Sequence, residues 1–278
     1  LNSISFCFTV PLNDINATHL NILEEITKDF FLKVTYSNPI NVYNQLLKKD
    51  KILFLIIYFQ YPKAIKFNDM FTENYLEIIT NYIHDFLLFN DDYILKHFDY
   101  YKQRALKKIK MFESDIKTIA IKECFEILDD EYVSLFGKKE YVSNLSINIF
   151  KDWFLEYISS ATAPKRVFLV GEFSENDEIV VSNVFPSSKL HLSNTIQPKK
   201  IKEPVFIERT FSSKVGYLVV ALQIKNHQQF SKKSISIFSD YLGGGGFSIL
   251  FNKVREERKL VYQIGATANI NKGEIIIT

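Results

Sequence analysis

Apolar and polar residues alternate from Ser3 to Val10, which predicts a half-buried strand ended by Pro11. Asn13 or Asp14 then caps a helix running through His19 to Phe30. Asn38-Pro39 marks a turn, and Ile40 to Lys48 reads as a short helix. The unbroken apolar run Ile52 to Phe59 is a buried strand, closed off before Pro62, and is far too short to span a bilayer. Phe71, Tyr75, Ile78, Ile79, Tyr82, Ile83 and Phe86 recur at helical spacing. A second long helix carries Phe98, Tyr101, Ala105, Ile109, Phe112, Ile116 and Ile119. Residues 146–159 predict another helix, and Arg166 to Gly171 a strand.

The polar, Lys/Ser-rich stretch from Pro186 to Pro204 holds three prolines and divides the pattern. Beyond it come a strand from Val215 to Ile224 and a helix from Ser231 to Leu242. Gly243 to Gly246 break that helix, and Phe247, Leu250, Phe251 and Val254 start an amphipathic one. Strands follow over Val261 to Asn269 and Glu274 to Thr278. The expected fold class is α+β, with two similar halves, each a mainly antiparallel sheet packed with helices. The expected domains are 1–190 and 205–278, joined by a linker at 191–204. No basic n-region precedes an apolar stretch, so no signal peptide is expected, and the second half reads as truncated.

Composition narrows the function classes. The chain has 278 residues, 47% of them hydrophobic, and a formal charge of +2 spread along its length. That balance gives no reason to expect nucleic acid or an anionic membrane as partner. The 25 Phe and 15 Tyr are read as core packing, because no basic stripe accompanies them. Cys7 and Cys124 form neither a disulfide framework nor a CxxC site, which points to a reducing cytoplasm.

The four glycines are the first chemical candidate. A phosphate-binding loop needs GxxxxGK[ST], and Phe247-Ser248 follow Gly246 instead. Glycine's tolerance of positive φ makes Gly243, Gly244, Gly245 and Gly246 a hinge between helices.

The stretch Leu242-Gly-Gly-Gly-Gly-Phe-Ser-Ile-Leu-Phe-Asn-Lys-Val-Arg-Glu-Glu-Arg-Lys-Leu-Val-Tyr262 resembles the C-terminal-half motif of the insulinase/pitrilysin zinc peptidases, which include the processing peptidases. The resemblance covers about twenty residues; Val261 stands where Ala or Gly is usual. It implies two α+β halves around a chamber. It also implies that an active member carries HxxEH on its first helix, with a further Glu on a later helix. Two His on one helical face plus a carboxylate leave an open zinc position for water, and the Glu of the motif takes that water's proton.

This chain lacks HxxEH. Its first helix reads Thr18-His19-Leu20-Asn21-Ile22-Leu23-Glu24-Glu25, and Glu24 lies around the wrong side from His19. Lys108 falls near the third-ligand position, where an ammonium cannot ligate zinc. His84, His97, His191 and His227 show no ligand spacing, and Glu113, Asp115, Asp129, Asp130 and Glu131 read as solvated acids.

No metal ligand and no cofactor are therefore expected in this chain; zinc is expected in a partner subunit. The resemblance makes Arg255 and Tyr262 a substrate-binding pair, since a forked cation and a neutral hydroxyl can both bond a peptide carbonyl gaining negative charge. The expected role is the non-catalytic subunit of a heterodimeric zinc peptidase acting on short peptides. The expected partner is an HxxEH-bearing subunit, or a second copy in a homodimer. The alternatives are a peptide-binding scaffold without hydrolysis, and an active peptidase whose zinc ligands lie in missing sequence or come from unusual positions.

Overall fold

A computed structural model describes residues 1–62, 74–90, 92–186 and 199–278. The expected linker at 191–204 and the helical start at Phe71 lie partly or wholly outside these residues. The described chain runs β1 (Asn2–Pro11), α1 (Asp14–Ser37), β2 (Asn41–Lys49), β3 (Ile52–Tyr61), α2 (Tyr75–Leu88), α3 (Asp92–Lys96), α4 (Phe98–Ser114) and α5 (Ile116–Leu128). It continues with α6 (Lys139–Asn144), α7 (Ile147–Phe154), β4 (Lys165–Val170), α8 (Glu175–Val184), β5 (Val220–Gln223), α9 (Lys232–Gly243), β6 (Ala266–Asn269) and β7 (Glu274–Ile277). The fold is α+β, with two antiparallel sheets packed against helices.

Two compact units emerge. The first holds Leu1–Lys110 and Val133–Asn194; the second holds Met111–Tyr132 and Thr195–Thr278. Residues 111–132, expected within a domain at 1–190, thus group with the C-terminal part.

In the first unit the sheet order is β2-β3-β1-β4. β1 is central, pairing Cys7 with Ile56 on one side and with Arg166 on the other. Ile4, Phe6, Phe8 and Val10 are buried, and so are Ser5, Cys7 and Thr9 between them. The 24-residue α1 begins where the Asn13 side chain accepts a hydrogen bond from Asn16 N at 2.7 Å. It lays Ala17, Leu20, Ile22, Leu23, Ile26, Phe31 and Val34 into the core.

Aromatic edges lock that core. Phe6 meets Phe59 and Phe185 at centroid distances of 5.8 and 5.1 Å, and Phe86 meets Phe31 and Phe154 at 5.3 and 5.4 Å.

The segment expected to be a helix at Ile40–Lys48 is the edge strand β2 instead. It pairs along its length with the apolar β3, Leu46 opposite Leu55. Asp50, at φ 54°, makes the tight turn between them. Side-chain spacing gave no warning, because one edge strand paired to an apolar neighbour need not alternate strongly. The long helix expected over 98–119 is broken at Asp115, whose carboxylate caps α5 by accepting from Thr118 N at 2.9 Å.

The second unit has sheet order β5-β7-β6. Among the described residues its buried apolar side chains are Leu128, Ile235, Ala266, Ile275 and Ile276. Its strands are shorter than the sequence pattern suggests. β5 starts at Val220 rather than Val215, and β6 at Ala266 rather than Val261. Gly243 packs α9 onto β6, where a Cβ would lie 2.5 Å from the Ala266 nitrogen.

Candidate functional site

Chemistry concentrates in two places, one in each unit. In the first unit α1 presents Glu24, Glu25 and Asp29, and α4 presents Arg104 and Lys108. Glu24 and Glu25 are buried, at 6% and 5% relative exposure. Two buried carboxylates one residue apart require counter-charges. Lys28, one turn along α1, reaches Glu25 at 2.6 Å and Glu24 at 3.5 Å. Arg104 forks, with Nε 2.8 Å from Glu25 and Nη1 2.8 Å from Asp29. Lys108 bonds Glu24 directly, lies 3.8 Å from Glu25, and rests its ammonium 4.7 Å from the Phe136 ring centroid.

Three carboxylates therefore meet three cations, and the cluster is neutral. Burial alone would raise the Glu25 carboxyl. The hydrogen bond from Lys28 and the charges of Lys28, Arg104 and Lys108 outweigh it and hold Glu25 below the usual carboxylate value.

His19 plays no part in this cluster. Its ring is stacked parallel to Phe150 at 5.8 Å and lies 4.9 Å from Trp153. Nδ1 sits 2.7 Å from the Ile15 carbonyl oxygen, and buried Nε2 has no hydrogen-bond partner. Burial favours the neutral ring and lowers its pKa, against the backbone hydrogen bond. His97 packs on Tyr93, and His191 lies outside the described residues.

Among the described residues no group of three or more His, Cys, Asp and Glu could hold a metal ion. The residues on α1 and α4 do not fit zinc: their carboxylates are already saturated by fixed cations, and the one nearby imidazole is committed to aromatic packing. Of the acids expected to be solvated, Asp129 pairs with Lys272 at 2.8 Å and Asp130 pairs with Lys199.

The second place is the stretch after α9. Gly244 N closes α9 onto Asp240 O at 2.8 Å, and Gly245 takes φ 149°, a conformation that favours glycine. The chain then coils into a short helical segment whose last part, Phe251–Glu257, is a π-helix. Such wide turns often mark functional positions. Lys259, at φ 54°, reverses the chain, and Leu260 N bonds back to Val254 O at 3.1 Å. That reversal carries Tyr262 back over Arg255, whose guanidinium carbon lies 5.9 Å from the Tyr262 ring centroid.

Tyr262 was expected within a strand. It stands outside β6 and is 93% exposed, because pairing of this stretch with the β7 end begins only at Gly265, which exchanges backbone hydrogen bonds with Thr278. Two features of this site escaped the sequence reading. One is the pairing of Arg104 with the α1 carboxylates, although Arg104 and Lys108 share the one-turn spacing of a common helix face. The other is Phe251, four residues before Arg255, whose ring lies 4.6 Å from the guanidinium carbon.

Residues 142–278 match the family model described as the peptidase M16 inactive domain. That segment, just under half of the chain, is M16-like. Solved structures agree at the level of the fold. A conserved protein from Enterococcus faecalis V583 aligns over 99% of this chain and 69% of its own, with a TM-score of 0.75 and 15% identity. A protease from Helicobacter pylori aligns over 99% and 68%, with a TM-score of 0.68 and 12% identity. No curated protein matches the chain.

Proposed function

We propose that this chain is the non-catalytic subunit of a zinc peptidase and lends Arg255 and Tyr262 to a peptide held against a partner that carries HxxEH. One observation carries the reading: the chain's reversal at Lys259 brings Arg255 and an exposed Tyr262 together, while the carboxylates of α1 are neutralised by fixed cations. The bond-breaking chemistry belongs to the zinc-bound water of the partner. This chain's share is to donate hydrogen bonds to a carbonyl oxygen as charge builds on it. A short unfolded peptide is the fitting substrate, bound in part by strand addition at a sheet edge. Bending as the two subunits close falls to Gly245 and Gly246, since Gly243 and Gly244 are packed.

Among the described residues no helix is long and apolar enough to cross a membrane. The unpaired Cys7 and Cys124 favour the cytoplasm as its compartment. The second reading, a peptide-binding scaffold, rests on the same neutral α1–α4 cluster and predicts that no partner restores cleavage.

The test is co-expression with an HxxEH-bearing family member and turnover of a quenched peptide. Arg255→Ala is expected to lower kcat about 10²–10³-fold, the worth of one preorganised donor. Unchanged turnover removes the clamp role. Stoichiometric zinc in the purified chain alone removes the non-catalytic assignment.

A further inference from the structure

We infer that Phe251 is the positioning residue for Arg255, holding its guanidinium against an aromatic face, with the Tyr262 ring lying farther off. The inference rests on the reading of Arg255 as a donor to substrate. Arg255 lies 4.6 Å from the Phe251 centroid and 5.9 Å from that of Tyr262, so the nearer and shorter tether is Phe251. The spacing of four residues sets both side chains on one side of the same helical segment.

The chemistry of the contact suits a donor that must be aimed and yet remain available. A guanidinium's five N–H groups lie in its plane, pointing outward from the edge. A ring against its face restricts its rotamers and takes none of those donors. A carboxylate would restrict it equally well and consume them. The nearest carboxylate, Glu256, makes a loose ion pair with Nε at 3.7 Å, outside hydrogen-bonding distance. Nearby acids are otherwise engaged: Glu257 is bound to Lys253 at 2.7 Å. Arg255 is thus oriented by π-faces with its donor edge unspent.

Phe251 is itself anchored from behind. Ser248 is buried, its hydroxyl donates to Gly245 O at 2.6 Å, and its oxygen accepts from Phe251 N at 3.4 Å. The glycine run therefore reaches the substrate donor through Ser248 and Phe251.

The experiment uses the whole chain. In the ¹⁵N–¹H spectrum the Arg255 side-chain Nε–Hε signal is expected to be shifted by the ring current, and Phe251→Leu moves it toward the position of a free arginine. Phe251→Tyr keeps the shift. In the complex with an HxxEH-bearing subunit, Phe251→Leu is expected to lower kcat/KM for a quenched nonapeptide about two- to five-fold, the worth of one partly exposed cation–π contact. The loss should fall on kcat more than KM, and Phe251→Tyr should restore it. An unmoved Arg255 signal overturns the inference. So does full activity of Phe251→Leu where Arg255→Ala is impaired. Should Arg255→Ala cost nothing, the underlying reading fails and this one with it. If Phe251→Leu melts early, the same two measurements on Phe251→Met decide.

Discussion

Replacing Lys108 by methionine strands the Glu24 carboxylate. The substitution keeps the unbranched stem and removes the terminal ammonium, so the perturbation is the charge, with its place over the Phe136 ring. Two unit charges at 4 Å attract by about 4 kcal/mol at an effective dielectric of 20. Breaking a fully buried pair costs about 3–5 kcal/mol. Glu24 is 9% exposed at its side chain but Lys108 is 26% exposed, and Lys28 remains 3.5 Å from Glu24. Partial solvation and that second cation reduce the expected loss to about 2 kcal/mol.

Trp153 is the chain's single tryptophan and is buried in the first unit, so urea unfolding followed by its fluorescence reports that unit by itself. The double variant Glu24→Gln/Lys108→Met removes the stranded charge and should regain at least half of the loss. If Lys108→Met unfolds within about 0.5 kcal/mol of the wild type, or if Glu24→Gln restores nothing, the cluster is an ordinary surface ion pair and the reasoning fails.

Acid should weaken the first unit in two stages. His19 has its folded pKa below its ordinary 6.5, so the unfolded chain takes up the proton first and stability declines as pH falls below that value. Glu25, held below its ordinary 4.5, contributes stability above that value and loses it as pH falls through the folded pKa. Trp153 fluorescence across pH 7 to 3 checks both stages, and His19→Phe should abolish the first only. Glu274 in β7 behaves oppositely. It is fully buried, Oε1 lacks a partner, and burial, with the nearby Asp129 charge, raises its pKa against Lys272, Asn269 and Gln223. Its folded state holds the proton longer, so stability falls as pH rises from about 4.5 through the folded pKa. Glu274→Gln is expected to stabilise the second unit by about 1 kcal/mol at pH 7, read from thermal unfolding by circular dichroism, with no gain at pH 4. Lys259→Gly relieves a left-handed residue and should add about 0.5–1 kcal/mol to the same transition, whereas Lys259→Val should subtract at least as much.

What could be read from the residues follows from how local each cause is. β1, β3 and β4 announce themselves because a strand carries its own alternation or apolar run. β2 does not, because its strand state is imposed by β3 across the hairpin at Asp50. The break at Asp115 hides in an apolar spacing that continues through it, and only the cap reveals it. At the candidate site the motif residues Arg255 and Tyr262 were visible, but their meeting depends on the unusual φ of Lys259, which no side-chain pattern encodes. Lys108 was singled out only as standing near the third-ligand position; that it and Arg104, one turn earlier, pair with α1 acids was not legible, since Glu25 and Asp29 lie some 75 residues from Arg104 in the chain.

The charge centre between α1 and α4 carries a further consequence. A centre filled by an ion is loaded and emptied by exchange with its surroundings, so a chelator can strip it. Here the positive charges are attached to the chain and arrive with it at synthesis. No chelator can remove them and no scarcity of ions leaves the centre empty. Glu25 gives up its charge only as acid overcomes the cations that hold it, so the vulnerability of this helix junction is set by acidity and not by metal supply.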